Sequence, residues 1–305
     1  TLGTVIGEFS STDSDSGDGH TYSLVAGAGD TDNGSFLIFE NKIQTNIALD
    51  FETKASYDVR VETTDNDGAT FSKSFTISII NANDNPTDIA LSAVSIAENS
   101  AIGTNIGTLT STDVDAGDSH TYSLVGTGFD NDNFSIVGNA LTSRAEFDFE
   151  AQSTYVVNIQ STDAQGGTFA TQFVVSVTDA NDAPTDISLF TSSVDENQVI
   201  GTVVTTISTT DADAADVQTY TLVAGTGDTD NASFTIAGNE LRTAAVFDMA
   251  TKSSYSIRIQ TADGNGGTYS KSFTVTVKDA NNDPTAISLS KNFITESAAL
   301  GTVIG

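Results

Sequence analysis

The sequence repeats itself three times and stops partway into a fourth copy. The six residues Leu2–Gly7 return unchanged as Leu300–Gly305. Three tyrosines mark the period, because Tyr22, Tyr122 and Tyr220 lie 100 and then 98 residues apart. This spacing is typical of one ordinary domain per repeat. We therefore expect a modular array, whose repetition points to a function that depends on length and on the number of modules before one that depends on catalysis.

Within each repeat the hydrophobic pattern has a period of two. Stretches such as 153–160 and 168–177 alternate small or polar residues with large apolar ones, as half-buried strands do. About seven short strands per hundred residues predict an all-β chain of tandem immunoglobulin-like sandwiches. Tyr22, Tyr57, Phe75 and their equivalents are then expected in the cores.

Three polar joints separate the repeats. Each one ends in one of the chain's three prolines, Pro86, Pro184 and Pro284. Proline after a short polar cluster interrupts strand pairing and predicts a short, stiff joint. The expected divisions are a repeat without its first strand at 1–85, complete repeats at 86–183 and 184–283, and the first strand of a further repeat at 284–305.

The charge excludes several classes of partner. The chain has 41 acidic and 11 basic residues, a net charge of -30, so nucleic acid and anionic membranes repel it. It has no cysteine, and no apolar run approaches the length of a membrane span. Such acidity destabilises a compact state unless the acids are well solvated or neutralised by bound cations.

The acids recur at fixed places in every repeat. In the second repeat they are Glu98, Asp113, Asp115, Asp148, Glu150, Asp163 and the joint 179–182. Calcium takes about six to eight oxygen ligands, several of them carboxylates. No single motif is specific, since acids at strand ends are usually solvated turn residues.

Their combination resembles the calcium-binding pattern of cadherin repeats over the whole chain. The pattern is Glu-Asn after the first strand, Asp-x-Asp before the third, Asp-Phe-Glu, a later Asp, and Asp-x-Asn-Asp-x-Pro at the joint. It is most similar to the bacterial cadherin-like repeats of large surface proteins and adhesins. The resemblance implies cadherin-like sandwiches, calcium ions held between successive domains, and an extracellular or cell-surface location.

The resemblance also implies ligands for each junction. For the middle junction they are Glu98, Asp148, Glu150, Asp179, Asn181, Asp182, Asp211, Asp213 and Asp263. For the first they are Asp50, Glu52, Asn83, Asp84, Asn85, Asp113, Asp115 and Asp163, without the early glutamate. For the third they are Glu196, Asp248, Asp279, Asn281 and Asp283. Ala250 and Asn282 replace two acids there, so this junction is expected to bind fewer ions or to bind them more weakly.

Other recurring polar residues are explained more simply. The acidic loop at 30–33, 130–133 and 228–231 could hold another calcium ion, but turn chemistry accounts for it. Asn33, Asn133 and Asn231 form glycosylation sequons there, which the repeat consensus also explains. His20 and His120 are aligned and give way to Gln218, which favours a surface or packing role. With no candidate nucleophile or general base, the sequence predicts no enzyme.

The leading functional interpretation is a calcium-rigidified extracellular array that serves as a stalk, a filament or a cell-cell adhesion segment. The alternative is an array of carbohydrate-binding modules in a secreted, polysaccharide-associated protein. Carbohydrate binding needs exposed aromatic platforms, and the chain has no tryptophan. The sequence therefore favours the structural or adhesive role.

The two ends leave a further choice. The strand at 284–305 could complete the first repeat of another copy, so that the chain polymerises head to tail. In that case Asp13, Asp15 and Asp65 of the next copy would complete the third calcium site, and Glu296 would complete the first. The duplicated six residues favour instead a segment of a longer array that repeats every 298 residues. Expected partners are other copies or neighbouring repeats, and beyond them a cell-surface protein or polysaccharide.

Overall fold

The structure is a computed structural model that describes residues 1–15, 17–280, 286–293, 296 and 299–301. In these ranges the chain is all-β, with three single-turn 3-10 helices, Asn33–Ser35, Asn131–Asn133 and Asn231–Ser233. No helix in them is long and apolar enough to cross a membrane. The chain divides into two compact units, Thr1–Thr178 and Asp179–Gly305, which are described separately.

The first unit begins with six strands in two three-stranded sheets. The strands are β1 (Val5–Glu8), β2 (Thr21–Leu24), β3 (Phe36–Phe39), β4 (Lys42–Thr45), β5 (Ser56–Thr64) and β6 (Thr70–Ser78). Their order is β1-β4-β3 in one sheet and β2-β5-β6 in the other, and all pairs are antiparallel.

The same unit continues with eight strands in two four-stranded sheets. They are β7 (Asp88–Leu91), β8 (Ser95–Ala97), β9 (Asn105–Thr112), β10 (Thr121–Leu124), β11 (Phe134–Val137), β12 (Ala140–Ser143), β13 (Thr154–Thr162) and β14 (Thr168–Thr178). The sheets have the orders β11-β12-β9-β7 and β10-β13-β14-β8. The short strand β8 runs parallel to β14, and the other pairs are antiparallel.

The second unit repeats these eight strands. They are β15 (Asp186–Leu189), β16 (Ser193–Asp195), β17 (Val203–Thr210), β18 (Thr219–Leu222), β19 (Phe234–Ala237), β20 (Glu240–Thr243), β21 (Ser254–Ala262) and β22 (Thr268–Lys278). The sheet orders are β15-β17-β20-β19 and β16-β22-β21-β18. The all-β, tandem-sandwich fold predicted from the sequence is confirmed.

The sequence predicts about seven strands per repeat, and the structure has eight in each complete repeat because the first strand is broken in two. Its first half, β7, pairs with β9 in one sheet, and its second half, β8, pairs with β14 in the other. The chain crosses between the layers over Ser92–Val94, and Val94 O accepts a hydrogen bond from Ser176 N. One short segment therefore closes the edge of both sheets.

The cores follow the predicted alternation along the long strands. Val157 and Ile159 of β13 and Val175 of β14 have no exposed surface. Phe147 packs against Tyr155 with ring centroids 4.8 Å apart, nearly edge to face. Burial of a side chain of this size contributes roughly 2–3 kcal/mol, which makes these layers the main source of stability.

The first repeat is less well covered than its neighbours. Tyr57 is buried as expected, but Phe75 is 37% exposed, so the core position predicted for it is wrong. Its equivalent Phe173 is packed against the core of the second repeat. The difference arises because β7 and β8 cover the edge there, and the described part of the first repeat has no equivalent strand.

Candidate metal centre

Three carboxylates meet at the joint between the first and second repeats, inside the first unit. Glu52 comes from the loop before β5, Asp84 from the joint, and Asp115 from the loop after β9. One oxygen of each lies within 4.8 Å of the others. Asp115 is 6% exposed, so its carboxylate has left bulk water. The fold thus brings together acids that are more than sixty residues apart in sequence.

Hydrogen bonds fix Asp115 at this point. Asp84 N donates to Asp115 Oδ2 at 2.7 Å, and Asn81 Nδ2 donates to Asp115 Oδ1 at 2.8 Å. These bonds hold the pKa of Asp115 below its usual value. The pKa of Glu52 is raised, first by burial and then by the charges of Asp115 and Asp84. The cluster therefore concentrates negative charge that a cation would relieve.

A second carboxylate, Asp163, lies beside the joint asparagines. Asn83 Nδ2 donates to Asp163 Oδ2 at 3.0 Å, and this bond is the main cause that lowers the pKa of Asp163. The backbone turns tightly around the group at Gly167. A Cβ built there would lie 2.3 Å from Asp163 Oδ2 and 2.4 Å from Asn85 Oδ1. Glycine is required for these oxygens to come so close.

The structure adds a residue that the sequence interpretation missed. Asp118 lies with Asp113 and Asp163 in a group of carboxylates whose oxygens are within 4.8 Å. Asp18 forms the same group with Asp13 and Asp65 in the first repeat. The recurrence of aspartate at positions 18, 118 and 216 was the available signal. Asp15 is exposed, and its backbone N–H donates to Asp13 Oδ1 at 3.1 Å.

Each of the aligned histidines contacts the first aspartate of the Asp-x-Asp motif in its repeat. His120 Nε2 lies 3.0 Å from Asp113 Oδ2. In the second unit Gln218 Nε2 donates to the equivalent Asp211 Oδ2 at 2.6 Å. A glutamine that makes the same contact agrees with a positioning role for the histidines.

At the far end of the second repeat, Glu98, Asp148 and Glu150 form another group with oxygens within 4.8 Å. Glu98 is 3% exposed, and its Oε2 accepts a 2.7 Å hydrogen bond from Phe149 N. Asp148 Oδ1 accepts from Ala151 N at 2.8 Å. The first strand and the Asp-Phe-Glu loop thus present their acids together.

The second unit repeats the joint geometry with its own residues. Asp182 N donates to Asp213 Oδ2 at 2.6 Å, and Asn181 Nδ2 donates to Asp263 Oδ2 at 3.0 Å. The latter bond is the main cause that lowers the pKa of Asp263. Two independent copies of the joint therefore have the same hydrogen-bonding pattern.

The remaining predicted ligands have different settings. Glu196 is 5% exposed and accepts from Met249 N at 2.9 Å. Asp50 and Asp248 are exposed turn acids, each bonded to a threonine hydroxyl three residues later. Asp179, Asp279 and Glu296 are also exposed. Asn281 and Asp283, predicted as ligands of the third junction, lie outside the described residues.

In the acidic loop at 30–33 and 228–231, one aspartate of each copy is already bonded to a lysine and to a backbone N–H of the protein. Asp32 Oδ1 contacts Lys54 Nζ, and Asp32 Oδ2 accepts from Asp58 N at 2.7 Å. Asp230 makes the equivalent contacts with Lys252 and with Ser256 N. These internal bonds agree with a turn-stabilising role for the loop.

The joint clusters fit calcium in their chemistry. Their donors are carboxylate and amide oxygens, the ligands that calcium prefers, and the chain offers no thiolate. The close approach at Gly167 leaves the oxygens of Asp163 and Asn85 pointing to one region. The joint carboxylates are therefore residues that could hold a divalent cation.

Tandem β-sandwiches with acidic, asparagine-containing joints define a class of modular repeat proteins. The chain belongs to the cadherin family, because the cadherin domain model matches residues 92–178 and 190–278. Each match takes in seven of the eight strands of its repeat and begins directly after the first one, β7 or β15.

Several relatives are large animal proteins. The protocadherin-like wing polarity protein stan of Drosophila melanogaster is 28% identical over 86% of this chain and 8% of its own length. Human protocadherin Fat 4 is 33% identical over 54% of this chain and 4% of its own. The chain thus spans less than a tenth of these relatives. Mouse cadherin-23 EC22-24 has a similar fold, with a TM-score of 0.64 and 22% identity over 92% of this chain and 93% of that structure.

Proposed function

We propose that this chain is a segment of an extracellular array whose joints are rigidified by calcium and which serves a structural or adhesive role. The observation that carries the proposal is the meeting of Glu52, Asp84 and Asp115 at the joint. Without a cation these charges repel one another, and a divalent ion reverses the sign of the interaction. Calcium binding and ordering of the joint are then one coupled process.

The proposed ligands are the joint residues named from the sequence, with Asp118 and its equivalents added. The domain divisions at 85/86, 183/184 and 283/284 stand with them as proposals. The proposed partners are neighbouring repeats or other copies of the chain, at the cell surface. A bacterial origin rests on the sequence resemblance alone, since the relatives above are animal proteins. The comparisons support no carbohydrate-binding role, and we propose no catalytic one.

The decisive experiment compares thermal unfolding and small-angle scattering in millimolar calcium, in millimolar magnesium and after chelation. We expect calcium to raise the melting temperature and to lengthen the scattering envelope. Magnesium should do less, because it loses its water shell reluctantly. A melting temperature and a scattering envelope that do not change when calcium is added would overturn the proposal.

A further inference from the structure

One face of the third repeat presents a large aromatic side chain to water. Phe190 directly follows β15 and is 87% exposed, and its backbone N–H donates to Thr206 O at 3.1 Å. In the pairing of β17 with β20, Thr206 lies opposite Glu240 and Val203 lies opposite Arg242. Paired residues of antiparallel strands point to the same side of a sheet. We call this set of five residues the outer face, because it lies on the side of the sheet away from the core.

A groove with a volume of about 270 Å³ lies beside Phe190. Val194 and Val203 supply its apolar lining, and polar side chains, including that of Thr191, surround them. Val194 is part of the core of the repeat, and Val203 is 43% exposed. Apolar pockets with a polar rim are typical sites for the aromatic anchors of protein–protein contacts. The third repeat therefore has an aromatic anchor and a receiving groove side by side.

The second repeat is an internal reference for this surface. It has the same eight strands, yet small or polar residues stand at the equivalent positions. The equivalents are Ser92 for Phe190, Asn105 for Val203, Ala140 for Glu240 and Thr142 for Arg242. The common fold thus does not require the apolar and charged residues of the third repeat. Their occurrence together on one face indicates a role besides folding.

The charges of this region are paired. Glu240 contacts Arg242 on the outer face, and Lys271 Nζ lies 2.7 Å from Asp186 Oδ1 at the start of β15. At the groove, Asp195 lies opposite Lys278 in the pairing of β16 with β22.

This pairing of charges bears on which partner the face accepts. The chain has a net charge of -30, so two copies repel each other. The electrostatic cost of contact is lowest where acids and bases cancel. The outer face is such a place, and its two signs of charge are complementary to a second copy of itself.

We propose that the outer face of the third repeat joins two copies of the chain side by side, with Phe190 of each copy in the groove of the other. This inference rests on the proposed function, in which other copies are partners of the array. A surface that carries both the anchor and the groove suits a contact with two-fold symmetry. The contact lies along the side of a repeat, so it leaves the joints between repeats free to continue a longer array.

The first test is the molar mass of the full chain in calcium by sedimentation equilibrium. We expect a dimer with a dissociation constant of roughly 0.1–1 mM, because one anchor per copy buries little surface. Phe190→Ser installs the residue of the second repeat and should weaken the dimer by about tenfold or more. Its fold should be unchanged, because the side chain is exposed. The control Phe39→Ser removes another exposed phenylalanine, in the first repeat, and should leave the dimer intact.

The charge argument has its own pair of variants. Arg242→Thr leaves Glu240 without its partner, so two like charges face each other across the contact and the dimer should weaken. Adding Glu240→Ala to that variant removes the remaining charge and should restore the dimer. A dimer that both variants form equally would overturn the charge argument.

Single cysteines test the symmetry of the contact, since the described chain has none of its own. Thr206→Cys on the outer face should form disulfide-linked dimers faster than Ser123→Cys, which lies on the exposed side of β10.

Three results would overturn the proposal. They are a chain that stays monomeric at about 1 mM, a dimer that Phe190→Ser does not weaken, and equal cross-linking of the two cysteine variants. The calcium-dependent melting temperature is measured separately and reports on the proposed function alone.

Discussion

The amide of Asn81 donates a 2.8 Å hydrogen bond to Asp115 Oδ1, so the last residues of one repeat hold a carboxylate of the next. The backbone N–H of Asp84 binds the other oxygen of the same carboxylate. These two bonds fix the carboxylate of Asp115, and a ligand that is fixed in place loses less entropy when it binds a cation.

Removing the negative charge of Asp115 should weaken the stabilisation of the joint by calcium. In Asp115→Asn one anionic ligand is lost, so we expect a much smaller rise of the melting temperature on calcium addition. The control is Asp132→Asn, which makes the same charge change at an exposed acid of the same repeat. An equal calcium response in the two variants would remove Asp115 from the site.

The buried hydroxyls of the second repeat provide a prediction about stability. Ser161 has no exposed surface, and its Oγ lies 2.6 Å from Ser111 Oγ, which also donates to the Tyr122 hydroxyl. Ser161→Ala removes one bond and leaves Ser111 with another partner, so we expect a loss of about 1 kcal/mol in the free energy of unfolding. Denaturant titration measures it. Ser123→Ala, on the exposed side of β10, is the control and should change nothing.

The second acidic loop predicts a pH dependence. The hydrogen bond from Lys54 is the main cause that lowers the pKa of Asp32 below its unfolded value. The stability from this pair is complete above the unfolded pKa of about 4 and disappears as the pH falls through the lower folded value. Lys54→Met should therefore cost about 1 kcal/mol near pH 7 and clearly less near pH 2. Denaturant titrations at both pH values, in chelator, test this, and an equal cost at the two values would refute it.

The sequence predicted the fold because its two signals are local. Alternation identifies strands, and joints that end in proline separate the repeats. The grouping of Asp84 with Asp115 was also predicted, through the resemblance to a family in which joint and loop meet. What it missed depends on three-dimensional packing. Phe75 is exposed because the described part of the first repeat has no strand equivalent to β7 or β8. The grouping of Asp118 with Asp163 follows from loop geometry, which the recurrence of aspartate in each repeat marks but does not specify.

Substitutions at two neighbouring glycines distinguish an effect on the proposed metal site from an effect on the backbone conformation. Gly166 has φ of 97°, and a Cβ there would meet nothing within 4 Å. Gly166→Ala should therefore cost about 1–2 kcal/mol of stability from left-handed backbone strain, equally with and without calcium.

Gly167 has no such strain, but its Cβ would meet the oxygens of Asp163 and Asn85. Gly167→Ala should therefore displace Asp163, which lowers the affinity for calcium and also costs stability in the chelated protein. Calorimetric calcium titration and denaturant unfolding of the two variants, each with and without chelator, distinguish the two effects. If Gly167→Ala bound calcium as tightly as the wild type, the oxygens around it would not be ligands.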